Sequence, residues 1–234
     1  MRRIACALIA VWSCAGALYA ADDAFEFVLN DGLTPQHTAH LRKALDDNYD
    51  RILSSLGLTS IPTVTVRIWR DEEAYQSAME QSLGSRAPGS RGYAFGQREL
   101  RLLYHTRLSA QREAVHEFAH VASLNINPDL GNNPRWLWEA VAIYLAGEYV
   151  DPARSGFFDD GACPTLEQLN APFDRGGTIY ATGYLLVDFI EKRWGFAKVV
   201  DLIRSNGDLQ ETLGVSSAEF EQAWCESVQE ALGR

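Results

Sequence analysis

The pentapeptide His116-Glu117-Phe118-Ala119-His120 constrains this chain more than any other feature, because it lies inside a run of helix-forming residues. On a helix, residues four apart share one face one turn apart, so both imidazoles project the same way and can converge on a single ion. Zn²⁺ accepts such nitrogens at about 2.0–2.1 Å. Glu117 falls on the neighbouring face, beside that point, where a general base is needed. The pattern calls for a helix here and for a second element that returns with a third ligand.

The segment Pro134-Arg-Trp-Leu-Trp-Glu139-Ala-Val-Ala-Ile-Tyr144 offers that ligand. Glu139 is the single carboxylate in an apolar helical stretch, and burying an acid there costs heavily unless it is paired or metal-bound. The turn-rich segment from Asn125 to Asn133 lets the two helices fold against each other. His116, His120 and Glu139 are therefore expected to hold Zn²⁺, with Glu117 beside it.

Residues 1 to 20 read as a cleaved secretory signal: Arg2 and Arg3, an apolar run from Ile4 to Trp12, then small residues up to Ala20 and Ala21. Trp12 fits badly in a lipoprotein box ending at Cys14, and no later apolar stretch approaches the roughly 20 residues that span a bilayer. A periplasmic or secreted protein without stable membrane insertion is expected. The full chain has 234 residues and a formal charge of −10; without Arg2 and Arg3, 19 basic residues face 31 acidic ones, which leaves −12. Such an acidic surface disfavours a nucleic-acid partner. Removal of the signal leaves Cys163 and Cys225, and two cysteines in an oxidising compartment are expected to pair.

Hydrophobic periodicity gives the remaining outline. Strands are expected at 25–29, 64–69, 93–95 and 99–104, with helices at 34–57 and 71–79 and a turn-rich loop at 84–92. From Ser109 onward helices are expected at 109–125, 134–149, 178–194, 196–205 and 216–232, the last opened by a Ser216–Glu219 capping box. The fold class is α+β: a small, mostly antiparallel sheet followed by a helical half that carries the zinc site, in one domain over residues 21–234. The strand around Leu100–Leu103 is read as an edge able to pair with an extended peptide.

H-E-x-x-H followed after eighteen residues by Glu resembles the gluzincin metallopeptidases, at the spacing of M1-type catalytic domains. It is closer still to the smaller peptidase MA-like domains of exported bacterial proteins, whose second motif reads approximately P-x-W-x-x-E-G-x-A-x-Y. Pro134, Trp136, Glu139, Ala142 and Tyr144 match; Ala140 departs, standing where Gly is usual. Tyr180-Ala-Thr-Gly-Tyr184 is similar to the Y-A-x-S-Y segment of those domains. The resemblance implies a zincin-like fold and hydrolysis of a peptide or protein substrate by activated water, with Glu117 as base. It also implies a phenol as oxyanion donor, Tyr180 with Tyr184 one turn away as rival. No G-x-M-E-N motif lies upstream, so the resemblance does not extend to aminopeptidase activity. Two other readings stay open: a catalytically weak peptidase-like binding or envelope-assembly protein, and an amidase acting on a non-protein polymer. His37 and His40 near a helix start are read as solvated and His105 as a turn residue, and no Ser or Cys lies in a G-x-S-x-G elbow.

Overall fold

The computed structural model describes residues 24–131, 133–172 and 177–233; the signal expected at 1–20 lies outside them. The class is α+β. Strand β1 (Phe25–Leu29) leads into helix α1 (Pro35–Ser55), then β2 (Val64–Trp69), α2 (Glu72–Leu83), β3 (Gly92–Ala94) and β4 (Glu99–Leu103). The chain continues through α3 (Ala110–Ile126), α4 (Arg135–Leu145), and the short α5 (Pro152–Ser155) and α6 (Leu166–Leu169). It ends in α7 (Thr178–Trp194), α8 (Phe196–Arg204), α9 (Leu209–Leu213) and α10 (Ser217–Ala231).

Local chemistry sets the ends of these helices. Thr34 and Pro35 start α1, where the His37 ring bonds back to the Thr34 hydroxyl at 2.8 Å, so His37 serves as a cap. Asp71 accepts the Ala74 N–H at the start of α2, and the Ser216–Glu219 capping box forms as expected.

The four strands run in the order β1-β2-β4-β3. Strand direction corrects the expectation of a mostly antiparallel sheet: β1 pairs parallel with β2, β2 parallel with β4, and only β3 with β4 is antiparallel. The cause is the spacing of the helices. Helix α1 carries the chain back between β1 and β2, and α2 does so after β2, while only residues 95–98 make a hairpin. Strand β4 therefore lies inside the sheet, and the edge expected at Leu100–Leu103 belongs instead to β3.

Alternation along the strands divides the core. Val64, Val66, Ile68, Leu100 and Leu102 join the large cluster beneath α1 and α3, whereas Trp69, Tyr93 and Leu103 pack with Tyr75 and Met79 of α2. Helix α3 lies against α1, the β3–β4 hairpin and α4, and α4 packs closely on α7. Gly183 permits that approach, since a Cβ there would lie 2.9 Å from Ile143 Cδ1 and 3.1 Å from Ala140 Cα. Ala140 belongs to this contact and does not line the cleft.

Cys163 and Cys225 form a disulfide, which ties the segment before α6 to α10. Asn170, just past the end of α6, accepts the Trp136 N–H on its Oδ1 at 3.0 Å and so closes the first turn of α4. Among the described residues, no helix is long and apolar enough to cross a membrane.

Candidate metal centre

Helix α3 is buried without interruption from Ala114 to Leu124, so His116, Glu117 and His120 lie in the interior although their side chains are polar. Helix α4 folds back over it and brings Glu139, 6% exposed, to the same point. His116 Nε2 lies 3.3 Å and His120 Nε2 3.8 Å from Glu139 Oε2. One ligand atom from each residue falls within 4.8 Å of the others. A four-coordinate ion with bonds of about 2.0–2.1 Å spaces its ligand atoms about 3.3–3.4 Å apart, so this separation suits a single ion.

Unsatisfied atoms point the same way. Glu139 Oε2 and His120 Nδ1 are buried and lack a hydrogen-bond partner. An orphaned buried carboxylate oxygen carries a desolvation penalty that a cation removes. His116, His120 and Glu139 can hold a metal ion.

The two histidines are oriented by different means. His116 Nδ1 faces Glu148 Oε2 at 3.3 Å, which turns Nε2 toward Glu139. The His120 ring instead stacks on Trp138, centroids 3.9 Å apart and planes 6° off parallel. Glu148 was not singled out in the sequence. Its only signal there is a carboxylate just past the end of the helix that bears Glu139.

Burial dominates the electrostatics. It pushes the Glu117 carboxyl up to about 8; the His116 charge opposes this, while Glu139, Glu148 and Glu113 reinforce it. Burial alone would depress His116, but the Glu139 and Glu148 carboxylates override it and hold the imidazole well above its ordinary value. His120 lies farther from Glu139, and burial together with the charges of His116 and Arg135 holds it well below.

These groups line a cleft of about 630 Å³ running along the outer edge of β3. Gly92 of that strand touches the candidate base: a Cβ there would stand 2.6 Å from Glu117 Cγ and 2.7 Å from its Oε1. Met79, Leu83 and Ala87 give the cleft an apolar wall.

The two candidate phenols are separated. Tyr180 lines the cleft and its oxygen accepts from Arg135 Nη2 at 3.1 Å. Burial, then the nearby Glu139 carboxylate, raise its pKa above the ordinary tyrosine value. Tyr184 packs against Tyr144 and Tyr149, with centroids 4.7 and 5.3 Å away, and does not line the cleft. His105 bonds Glu113 at 2.6 Å beside the cleft. In comparisons with known proteins, the chain matches no family model, no curated protein and no solved structure.

Proposed function

We propose that this chain is a zinc-dependent peptidase of the gluzincin type, acting on peptide or protein substrates outside the cytoplasm after loss of residues 1 to 20. The observation that carries the reading is the convergence of His116, His120 and Glu139 on one point, with Glu117 beside it and an unpaired strand edge across the cleft. Two nitrogens and one carboxylate oxygen suit zinc with an open coordination position, and the Cys163–Cys225 disulfide fits an oxidising compartment. Zinc held by these three residues would supply Lewis-acid activation of water and of the scissile carbonyl.

The chain supplies the rest. The ladder bonds of Leu103 with Arg91 and of Phe95 with Glu99 make Tyr93 face Arg101 within the sheet, so the N–H and C=O of Ala94 point to the other side. An extended substrate would pair with them there as an added strand. Glu117 takes a proton from water as its oxygen adds to the carbonyl carbon, then delivers that proton to the leaving nitrogen as the C–N bond breaks. Tyr180 lines the cleft wall, which supports it as the donor to the carbonyl oxygen as that oxygen becomes negative.

The purified protein is expected to bind about one equivalent of zinc and to cut unfolded protein substrates until a chelator is added. Glu117→Gln is expected to keep the zinc and to lower cleavage by about 10²- to 10⁴-fold. A folded sample that takes up no zinc overturns the reading. Zinc uptake without new fragments would favour the binding-protein alternative.

A further inference from the structure

We propose that Arg135 is a positioning residue for the metal centre: its guanidinium, held between Glu139 and Tyr180, fixes which carboxylate oxygen of Glu139 faces the two histidines. The inference rests on the zinc reading above and adds a residue that stands at an unspecified position of the second zinc motif.

Arg135 is the first residue of α4 and Glu139 lies one turn further on, so their side chains share a face. Both are buried, Arg135 to 7% exposure. Arg135 Nη2 lies 3.9 Å from Glu139 Oε1, whereas the oxygen near His116 and His120 is Oε2. The same nitrogen donates to Tyr180 Oη at 3.1 Å, and the guanidinium carbon stands 5.6 Å from the Tyr180 ring centroid. One side chain thus touches a ligand and a cleft phenol at once.

The chemistry of the group explains why it sits there. A guanidinium stays charged when buried, and its donors leave the plane in fixed directions, so the bond to Tyr180 anchors it while its charge, 3.9 Å from Oε1, attracts that oxygen as an ion pair without a hydrogen bond. Free rotation of Glu139 would present both oxygens to an ion or exchange them. Arg135 draws Oε1 aside and leaves Oε2 for the ion. By donating to the Tyr180 oxygen it also leaves the single phenol proton to be given elsewhere.

The test compares wild type, Arg135→Met and Arg135→Lys, with folding checked by circular dichroism and thermal melting in the absence of metal. Zinc dissociation constants come from competition with a chromophoric chelator. Arg135→Met is expected to bind zinc about 10- to 100-fold more weakly, the range for loss of a partner that orients a ligand, and Arg135→Lys to fall between it and wild type. In the cobalt-substituted protein, the visible bands of four-coordinate Co²⁺ are expected to lose intensity in both variants as the carboxylate turns both oxygens to the ion. If Arg135→Met does not fold, Arg135→Lys carries the test, because it keeps a buried cation. A folded variant with the wild-type zinc constant and an unchanged cobalt spectrum overturns the inference and leaves the peptidase reading standing. Failure of the wild type to bind zinc overturns both.

Discussion

Helix α4 separates two regions packed on opposite terms. On its cleft side stand Arg135 and Glu139 with His116, Glu117 and His120, and among the described residues every buried His, Glu or Arg is one of these five. On its other side Trp136, Phe189, Trp194 and Phe220 pack through edge-to-face, tilted and stacked rings, and Trp224, next to the disulfide-bonded Cys225, packs edge-to-face on Phe158. The uncharged buried polar groups follow a third rule. Thr38, Gln76, Ser123 and Thr182 each find a backbone carbonyl within the chain. Polar burial that serves only the fold is thus satisfied locally, whereas the cleft's charges face one another around a point that could hold a metal ion. The aromatic region offsets the stability that this arrangement forgoes.

If the two regions have separate duties, mutations should separate stability from chemistry. Trp224→Ala, at a fully buried ring, is expected to lower unfolding free energy by about 3 to 5 kcal/mol in urea titration while the folded fraction keeps its zinc affinity. A parallel loss of zinc would break the division. Replacing Cys163 and Cys225 by Ser should remove roughly 2 to 4 kcal/mol, read from the same titration. On the cleft side, Gly92→Ala should cut cleavage by something on the order of 10²-fold, because the new methyl displaces Glu117. Zinc stoichiometry and melting temperature should stay near wild type, and unchanged cleavage would show that Glu117 works from another position.

The smallest effect is one of pH. In the metal-free protein Glu117, held near 8, and His116, held above 6.5, keep protons that the unfolded chain releases. The Glu117 contribution to stability is therefore lost as pH rises from about 4.5 to about 8 and that of His116 as pH rises above 6.5, while the depressed His120 acts only below 6.5. Zinc requires its ligands deprotonated, so the rise in melting temperature that it causes should be larger at pH 8 than at pH 6.5. An equal rise at both would show that the cleft's charges are not coupled to the ion.

The helices that build the site were legible to within a few residues because their apolar periodicity is strong and their ends carry Pro, Gly and cap residues. The placing of His116, Glu117, His120 and Glu139 on α3 and α4 followed from that. Strand direction was not legible, since alternation states which face a strand buries and says nothing of its partner's direction. The edge was assigned to β4 for the same reason: β3 has three residues, and its position outside β4 depends on the hairpin. Glu148 escaped because it acts through a contact that no spacing rule encodes, and Arg135 because its one-turn spacing to Glu139 does not tell that both are buried beside Tyr180. Tyr180 and Tyr184 are indistinguishable as helical neighbours and part only when α4 and α5 settle around α7.

The cap that Asn170 places on Trp136 gives assembly of the centre a direction in time. The proposed ligands all lie between residues 116 and 139, yet the side chain that closes the helix bearing Glu139 comes 34 residues after Trp136. The segment that carries it is tied to α10 by the Cys163–Cys225 bond, near the far end of the chain. A polypeptide emerging N-terminus first completes its ligand set well before it can hold that set in place. Fragments that stop short of Cys225 should therefore carry both motifs and still grip zinc poorly.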